Sequence, residues 1–362
     1  MSAPVTMRQI AEVAKVSIGT VSHVINDTAT VRPKLRERVL HAIRSLGYQP
    51  SALAQGLRRK RTNMLGMIIP DITNPFFPGV VRGAEDVAYR HSYRVILCNA
   101  DNDSGKESSY VRELRSYHVA GLLIIPSAGV DIAAHLRTYT SASVPVVCID
   151  RIPDGWKGDA VLVANEDGAY EGTRHLIDMG HRRLAVITGP LKLTNAAERL
   201  EGFRRALEEA KLRIEPEFAQ EARFDATSGY QAAMRILRML PRPTAIFACN
   251  DLMAFGVLQA TRELGIRCPE DLSILGFDGL EFTKLTAPSL TSIYQPGYQL
   301  GATAARLLLQ RLDGTETAPK KLLLPTELIR RESVAAPAID MNRRRGARSS
   351  RNLDTKARGI VR

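Results

Sequence analysis

The chain has 362 residues, 44% hydrophobic and 24% charged, an ordinary globular composition with room for two or three domains. Its formal charge of +12 sits at the ends: residues 1–62 hold 11 Lys and Arg against 3 Asp and Glu, residues 343–362 hold 8 against 1, and the stretch between is slightly acidic. A uniformly basic protein is thereby excluded and polyanion contact is expected at the extremities; the absence of a ~20-residue apolar run or a signal-peptide start excludes a membrane partner and points to the cytoplasm.

In chain order, "TMRQIAEVAKV" (6–16) opens with Thr6 three residues before Gln9, a capping-box spacing, with Ile10, Val13 and Ala14 as an apolar stripe. Ser17 offers a second N-cap, and Val21, Val24 and Ile25 repeat the spacing on a second helix a few residues later, a helix-turn-helix arrangement. A third helix is expected in "RPKLRERVLHAIRSLGY", with Pro33 in its first turn, Val39, Ile43 and Leu46 inward and Gly47 as its stop. Any pair of helices has an outer face. Here Ile18, Gly19, Thr20, Ser22 and His23 lie at the start or outer side of the second helix. With Thr6, Ser17 and Asn26 they are the candidate DNA contacts, while Arg32, Lys34, Arg36, Arg38 and Arg44 are placed to meet phosphates. "PSALAQGLRRK" (50–60) is capped by Ser51 but broken by Gly56, a poor isolated helix or a basic linker.

From Asn63 onward apolar strands alternate with helical patterns: "MLGMIIPD", the helix "GVVRGAEDVAYRH", "YRVILCNAD", the helix "ESSYVRELRSY", "VAGLLIIPS", a short helix and "VPVVCIDR". A second round follows: "RRLAVITGP", the helix "NAAERLEGFRRALEEAKL", "EARFDA", the helix "SGYQAAMRILRML", "PTAIFACND", the helix "LMAFGVLQATRELG" and "LSILGFDG". Two such rounds predict an α/β body of two doubly wound parallel sheets, with ligands beyond the carboxyl ends of the strands. The strand ends carry Asp71, Asn74, Phe76, Phe77, Ser127, Asp150, Arg151, Asn195, Arg199, Phe224, Asn250, Asp251, Asp278 and Gln295. Aromatic faces beside groups that donate and accept suit a polyhydroxylated ring.

"IAEVAKVSIGTVSHVIN" followed by "VRPKLRERVLHAIRSLGYQPSALAQGL" resembles the headpiece of the lactose/galactose repressor family, with "TVSHVIN" similar to its purine repressor branch. The resemblance runs to about residue 340. It implies a helix-turn-helix headpiece (1–49), a hinge helix (50–62) and an effector-binding and dimerisation body (63–342) like a periplasmic binding protein. The N-lobe would span about 63–163 and 293–323 and the C-lobe about 164–291 and 325–340, with crossovers near 162–165, 290–294 and 322–326. It further implies that Leu57 wedges into a central minor-groove base step, with Ala54 packing beside its symmetry mate and Arg58 close to the backbone or groove. Effector contacts fall at positions matching Arg199, Asn250 and Asp278, joined here by Phe76, Phe77, Ser127, Asp150, Asn195, Phe224 and Gln295. The purine repressor has arginine where this chain has Leu193, which turns the expectation toward a sugar-like effector.

The partners expected are thus operator double-stranded DNA, a small effector and a second copy of the chain, since the tail 343–362 lacks a tetramerising leucine heptad. The tail itself reads as a disordered basic extension. No cofactor and no metal are expected. Cys98, Cys148, Cys249 and Cys268 are dispersed and read as buried free thiols. No enzyme motif is present: "DSGKES" (103–108) lacks the upstream glycine of a phosphate loop and has Glu107 where Ser or Thr would hold magnesium. The rival readings are a transport-type solute receptor and a regulator answering to a phosphoprotein corepressor.

Overall fold

The computed structural model describes residues 5–26, 29–48, 62–127, 132–141, 144–315 and 318–338. The hinge segment with Ala54, Leu57 and Arg58, and the basic tail, lie outside the described residues.

The N-terminal helices form a unit of their own: α1 (Met7–Ala14), α2 (Ile18–Asn26) and α3 (Pro33–Leu46). The Thr6–Gln9 capping box forms in full, and the α1 chain leaves through Lys15 in a left-handed conformation (φ 50°). The Ser17 hydroxyl accepts from the Thr20 N–H at 3.1 Å, starting α2 as its N-cap. Pro33 and left-handed Gly47 bound α3. Ile10, Ala11, Ala14, Val21, Val24, Val39 and Ala42 make the small shared core. Val13, expected inside, is 53% exposed, because Ala11 and Ala14 take the close-packed side of α1.

The body holds two six-stranded sheets. In the N-lobe these are β1 (Met64–Ile69), β2 (Arg94–Asn99), β3 (Gly121–Ile124), β4 (Val146–Asp150), β5 (Asp159–Val163) and β11 (Lys321–Leu324), in the order β2-β1-β3-β4-β5-β11. The C-lobe repeats the pattern with β6 (Leu184–Thr188), β7 (Ala219–Glu221), β8 (Ala245–Ala248), β9 (Ser273–Asp278), β10 (Thr291–Tyr294) and β12 (Glu327–Ile329), in the order β7-β6-β8-β9-β10-β12. Among the described residues only β12 is antiparallel. Strand order reverses between the first and third strands of each sheet, which opens a crevice at their carboxyl ends.

Helices α4 (Phe76–Arg90), α5 (Ser104–Ser116), α6 (Ile132–Ser141) and α11 (Gly297–Leu312) belong to the N-lobe, and α7 (Asn165–Asp178), α8 (Thr194–Glu209), α9 (Ala226–Leu237) and α10 (Asp251–Glu263) to the C-lobe. The central strands of both lobes are near-continuous buried apolar runs, as parallel strands covered on two faces require, whereas the edge strands β2, β7, β11 and β12 are partly exposed. Where α4 meets α11 the backbones touch: a methyl built on Gly83 would lie 2.0 Å from the Tyr298 carbonyl oxygen, and one on Gly301 1.9 Å from that of Val80.

Ser292–Tyr294 pair with β9 on one side and β12 on the other, so the second crossing follows Tyr294. One expectation is corrected. The strand expected in "EARFDA" ends at Glu221, since Phe224 turns left-handed and Asp225 caps α9. Cys148 and Cys249 are buried free thiols, whereas Cys98 and Cys268 are half-buried.

Candidate effector cleft and nucleic-acid interface

The strand ends of both lobes converge on a cleft of about 380 Å³. Its walls include Asp71, Asn74, Phe76, Phe77, Asp150 and Arg151 from the N-lobe and Asn195, Arg199, Phe224, Asn250, Asp278 and Gln295 from the segments after β6 to β10. The backbone is bent to present them. Asp101 (φ 54°), Asn102 (φ 56°), Asp150 (φ 66°), Phe224 (φ 63°) and Asp278 (φ 117°) all adopt positive φ and all line the cleft. Such conformations are costly for non-glycine residues and concentrate where function demands them.

Arg199 is the anchor of the C-lobe wall. It is 2% exposed, donates from Nε to Asn165 Oδ1 at 2.9 Å and from Nη1 to the Cys249 carbonyl at 2.6 Å, and lies 3.8 Å over the Phe277 ring. Its Nη1 is 3.7 Å from Asp278 Oδ1. Asp278 in turn accepts from Gln295 Nε2 at 2.6 Å. Asn250 caps α10 through the Met253 N–H at 2.9 Å and donates to the Phe224 carbonyl at 3.0 Å. Across the lobes, Asn195 Nδ2 donates to Asp150 Oδ2 at 2.9 Å.

Burial dominates the electrostatics. It pushes the Asp278 carboxyl up to about 7 against the pull of Arg199, and it raises Asp150 against Arg151, Arg199 and the Asn195 hydrogen bond. Asp251, behind the cleft and fully buried, is raised by burial and by the charge of Asp278, although it accepts from Leu280 N–H at 2.8 Å and Ser292 Oγ at 2.6 Å. Four buried polar atoms on the walls have no partner among the described residues: Asp150 Oδ1, Arg151 Nη2, Asn195 Oδ1 and Gln295 Oε1. Leaving such groups unpaired is expensive. The residues that carry them line the cleft, and Phe76, Phe77 and Phe224 give it apolar faces.

Of the ten residues expected to contact an effector, nine line this cleft. Ser127 does not; it is 5% exposed and its N–H donates to Glu107 Oε2 at 2.7 Å. Asp101, Asn102 and Arg223 line the cleft and were not anticipated. They follow β2 and β7, so the strand-end rule that selected the others would have found them. Leu193, where the resemblance placed an arginine in the purine repressor, also faces the cleft.

On the helical unit, Thr6, Ser17, Ile18, Gly19 and His23 are exposed and Thr20 and Ser22 half-exposed, so none of them belongs to its core. The Asn26 side chain lies outside the described residues. One basic residue has a structural role besides: Arg38 donates from Nη2 to the carbonyls of Ala14 at 2.6 Å and Lys15 at 3.1 Å, so it caps the end of α1. Lys34 and Arg44 remain exposed on α3.

Residues 6–51 match the family described as bacterial regulatory proteins, lacI family, and residues 173–334 a periplasmic binding protein-like domain. The HTH-type transcriptional repressor PurR of Haemophilus influenzae (strain PittEE) is 38% identical over 91% of this chain and 98% of its own length. That of Vibrio vulnificus (strain CMCP6) is 36% identical over the same shares. Among solved structures, the lac repressor dimer bound to operator and the anti-inducer ONPF superposes with a TM-score of 0.82 at 30% identity, covering 92% of this chain and 100% of that one. The transcriptional regulator CelR in complex with cellobiose superposes with a TM-score of 0.71 at 32% identity, covering 91% and 99%. With a helix-turn-helix unit at its N-terminus and a two-lobed binding body behind it, the chain belongs to the lacI family of bacterial regulatory proteins.

Proposed function

We propose that this regulator represses transcription by binding a pseudo-palindromic operator as a homodimer, and that a neutral sugar or sugar derivative in the interlobe cleft controls its affinity. The outer face of α2, carrying Ile18, Gly19, Thr20, Ser22 and His23, enters the major groove, with Thr6, Ser17 and Asn26 at its margins. Ala54, Leu57 and Arg58 act from the hinge on the minor groove. The cleft performs no reaction, and the protein works in the cytoplasm, where the DNA is.

The observation that carries the effector reading is the wall chemistry: Asp150, Asn195 and Gln295, each with an oxygen left unpartnered among the described residues, line a cleft that also holds Arg199, Asn250 and three phenylalanines. Hydroxyls, which donate and accept at once, satisfy that surplus of acceptors. Anionic ligands are disfavoured by Asp71, Asp101, Asp150, Asp225 and Asp278 on the same walls. A purine is the second reading, favoured by the PurR relatives and opposed by the apolar Leu193 on the wall. The helix-turn-helix match argues against a transport-type receptor.

A thermal-shift panel of the full chain against D-glucose, D-galactose, D-ribose, cellobiose, hypoxanthine and guanine tests the reading, because a ligand bound only by the folded state raises the melting temperature. A sugar is expected to score; a response to the purines alone refutes the sugar assignment. Retention of a specific genomic fragment under competitor DNA tests the regulator role. A bound effector should change operator affinity ~5–150-fold, and operator should change effector affinity by the same factor.

A further inference from the structure

The turn that joins α1 to α2 passes through Lys15, whose backbone is left-handed (φ 50°, ψ 52°). Glycine adopts that conformation without strain, and Gly47, Gly180 and Gly265 do so just past the ends of α3, α7 and α10. A lysine is strained there, so this position keeps its side chain against local preference. Strain alone does not supply the reason: Lys211, just past α8, has the same conformation (φ 56°) in a lobe without candidate DNA contacts. Position does. Lys15 is exposed and shares a surface depression with Arg8, Glu12, Ser17 and Ile18, the last two being candidate DNA contacts. Arg8 is paired with Glu12 at 3.6 Å, which leaves the Lys15 ammonium as the uncompensated cation of that depression among the described residues. The turn beneath it is fixed at both peptide groups: the Lys15 N–H bonds the Ala11 and Glu12 carbonyls, and Arg38 Nη2 holds the Lys15 carbonyl at 3.1 Å.

We propose that Lys15 is a phosphate contact of the DNA backbone, seated beside the entry of α2 into the major groove. The assignment rests on the operator-binding reading and adds a cation at the helix-turn-helix turn to those on α3. Ser17 and Ile18 stand two and three residues further on, so the strand bordering the groove that receives them lies beside Lys15. A compact ammonium on a flexible stem meets a phosphate oxygen as a point charge and asks nothing of the base sequence. The contact positions the protein on the duplex and contributes equally on any sequence. The negative charge it requires is the one that residues 1–62, with 11 Lys and Arg against 3 Asp and Glu, are suited to meet.

The test follows binding of the full chain by fluorescence anisotropy over a series of KCl concentrations. The probes are the duplex that the wild type selects from a random-sequence pool and a scrambled duplex of the same length. Lys15→Gly removes the cation from both protomers of the dimer and relieves the backbone. The slope of log affinity against log salt should become shallower by ~1.8, from ~0.9 for each lost contact, on both duplexes alike. Hydrogen exchange of the α1–α3 amides should be no faster than in the wild type. Lys15→Arg should keep the wild-type slope, and Lys211→Gly, which relieves the same strain elsewhere, should change neither slope nor affinity. A wild-type slope in Lys15→Gly overturns the proposal, as does an equal change in Lys211→Gly. Where exchange in the helical unit quickens in Lys15→Gly, Lys15→Gln is compared with Lys15→Arg, since both keep a long side chain: a shallower slope in the Gln variant supports the contact, and equal slopes overturn it. Selective binding by the wild type with an unchanged slope in the Lys15 variants removes this contact alone, whereas a wild type that binds selected and scrambled duplexes equally removes the operator reading with it.

Discussion

Replacing Asp278 by Asn gives a variant whose advantage over the wild type must depend on pH. The side chain is 5% exposed, so solvent screening is slight, and burial holds its carboxyl at about 7 against 3.8 for a free aspartate. Between those values the folded protein keeps a proton that the unfolded chain has released. The contribution of this group to wild-type stability is therefore full below about pH 4, falls as pH rises, and is lost above about 7. Asn imitates the protonated carboxyl and does not titrate. At ~1.4 kcal/mol per unit, a shift of about three units makes the stability of Asp278→Asn relative to wild type grow by ~4 kcal/mol from pH 4 to pH 8. Asp251 is raised partly by the Asp278 charge, so the gap belongs to the pair. Loss of the Arg199 partner at 3.7 Å adds an offset while Arg199 stays charged, which is why the slope is the quantity to read. Urea unfolding of both proteins, followed through the single Trp156 buried in the body and by circular dichroism, measures it at half-unit steps of pH. A gap that stays constant, or that closes as pH rises, refutes the reasoning.

Arg38→Ala should cost the helical unit ~1–2 kcal/mol by removing the cap on the Ala14 and Lys15 carbonyls; its salt dependence of DNA binding should match the wild type, and a shallower slope would keep Arg38 among the phosphate contacts. Gly83→Leu has no space against the Tyr298 carbonyl and should lower body stability by ~3 kcal/mol or more; an unchanged urea midpoint would contradict the close α4–α11 crossing. Leu57→Ala should weaken specific operator binding and leave unspecific binding largely intact, since it removes a wedge and no charge; equal losses on operator and random DNA in a gel-shift count against the wedge.

Local chemistry made much of this protein legible. Thr6 with Gln9, Ser17, Pro33 and Gly47 mark helix ends through bonds made within a few residues, and each acts at the place the sequence indicates. The two rounds of apolar strands announced two doubly wound sheets, and polar and aromatic residues just after those strands named nine cleft-lining side chains in advance. What sequence could not decide depends on distant partners. Helix α11 buries residues such as Leu300, Ala302, Ala304, Ala305, Leu307 and Leu308 around most of its circumference and was not anticipated, although its apolar spacing is no weaker than that of α5 or α10, which were; what the sequence does not show is its close backbone contact with α4. Arg38 looked like one more surface cation until the end of α1, 23 and 24 residues away in sequence, was placed beside it. Ser127 shared the strand-end position of its neighbours, and only packing against Glu107 took it off the cleft wall. Periodicity and capping are short-range and survive in one dimension, whereas the pairing of buried charges and the close approach of backbones exist only once the lobes have folded.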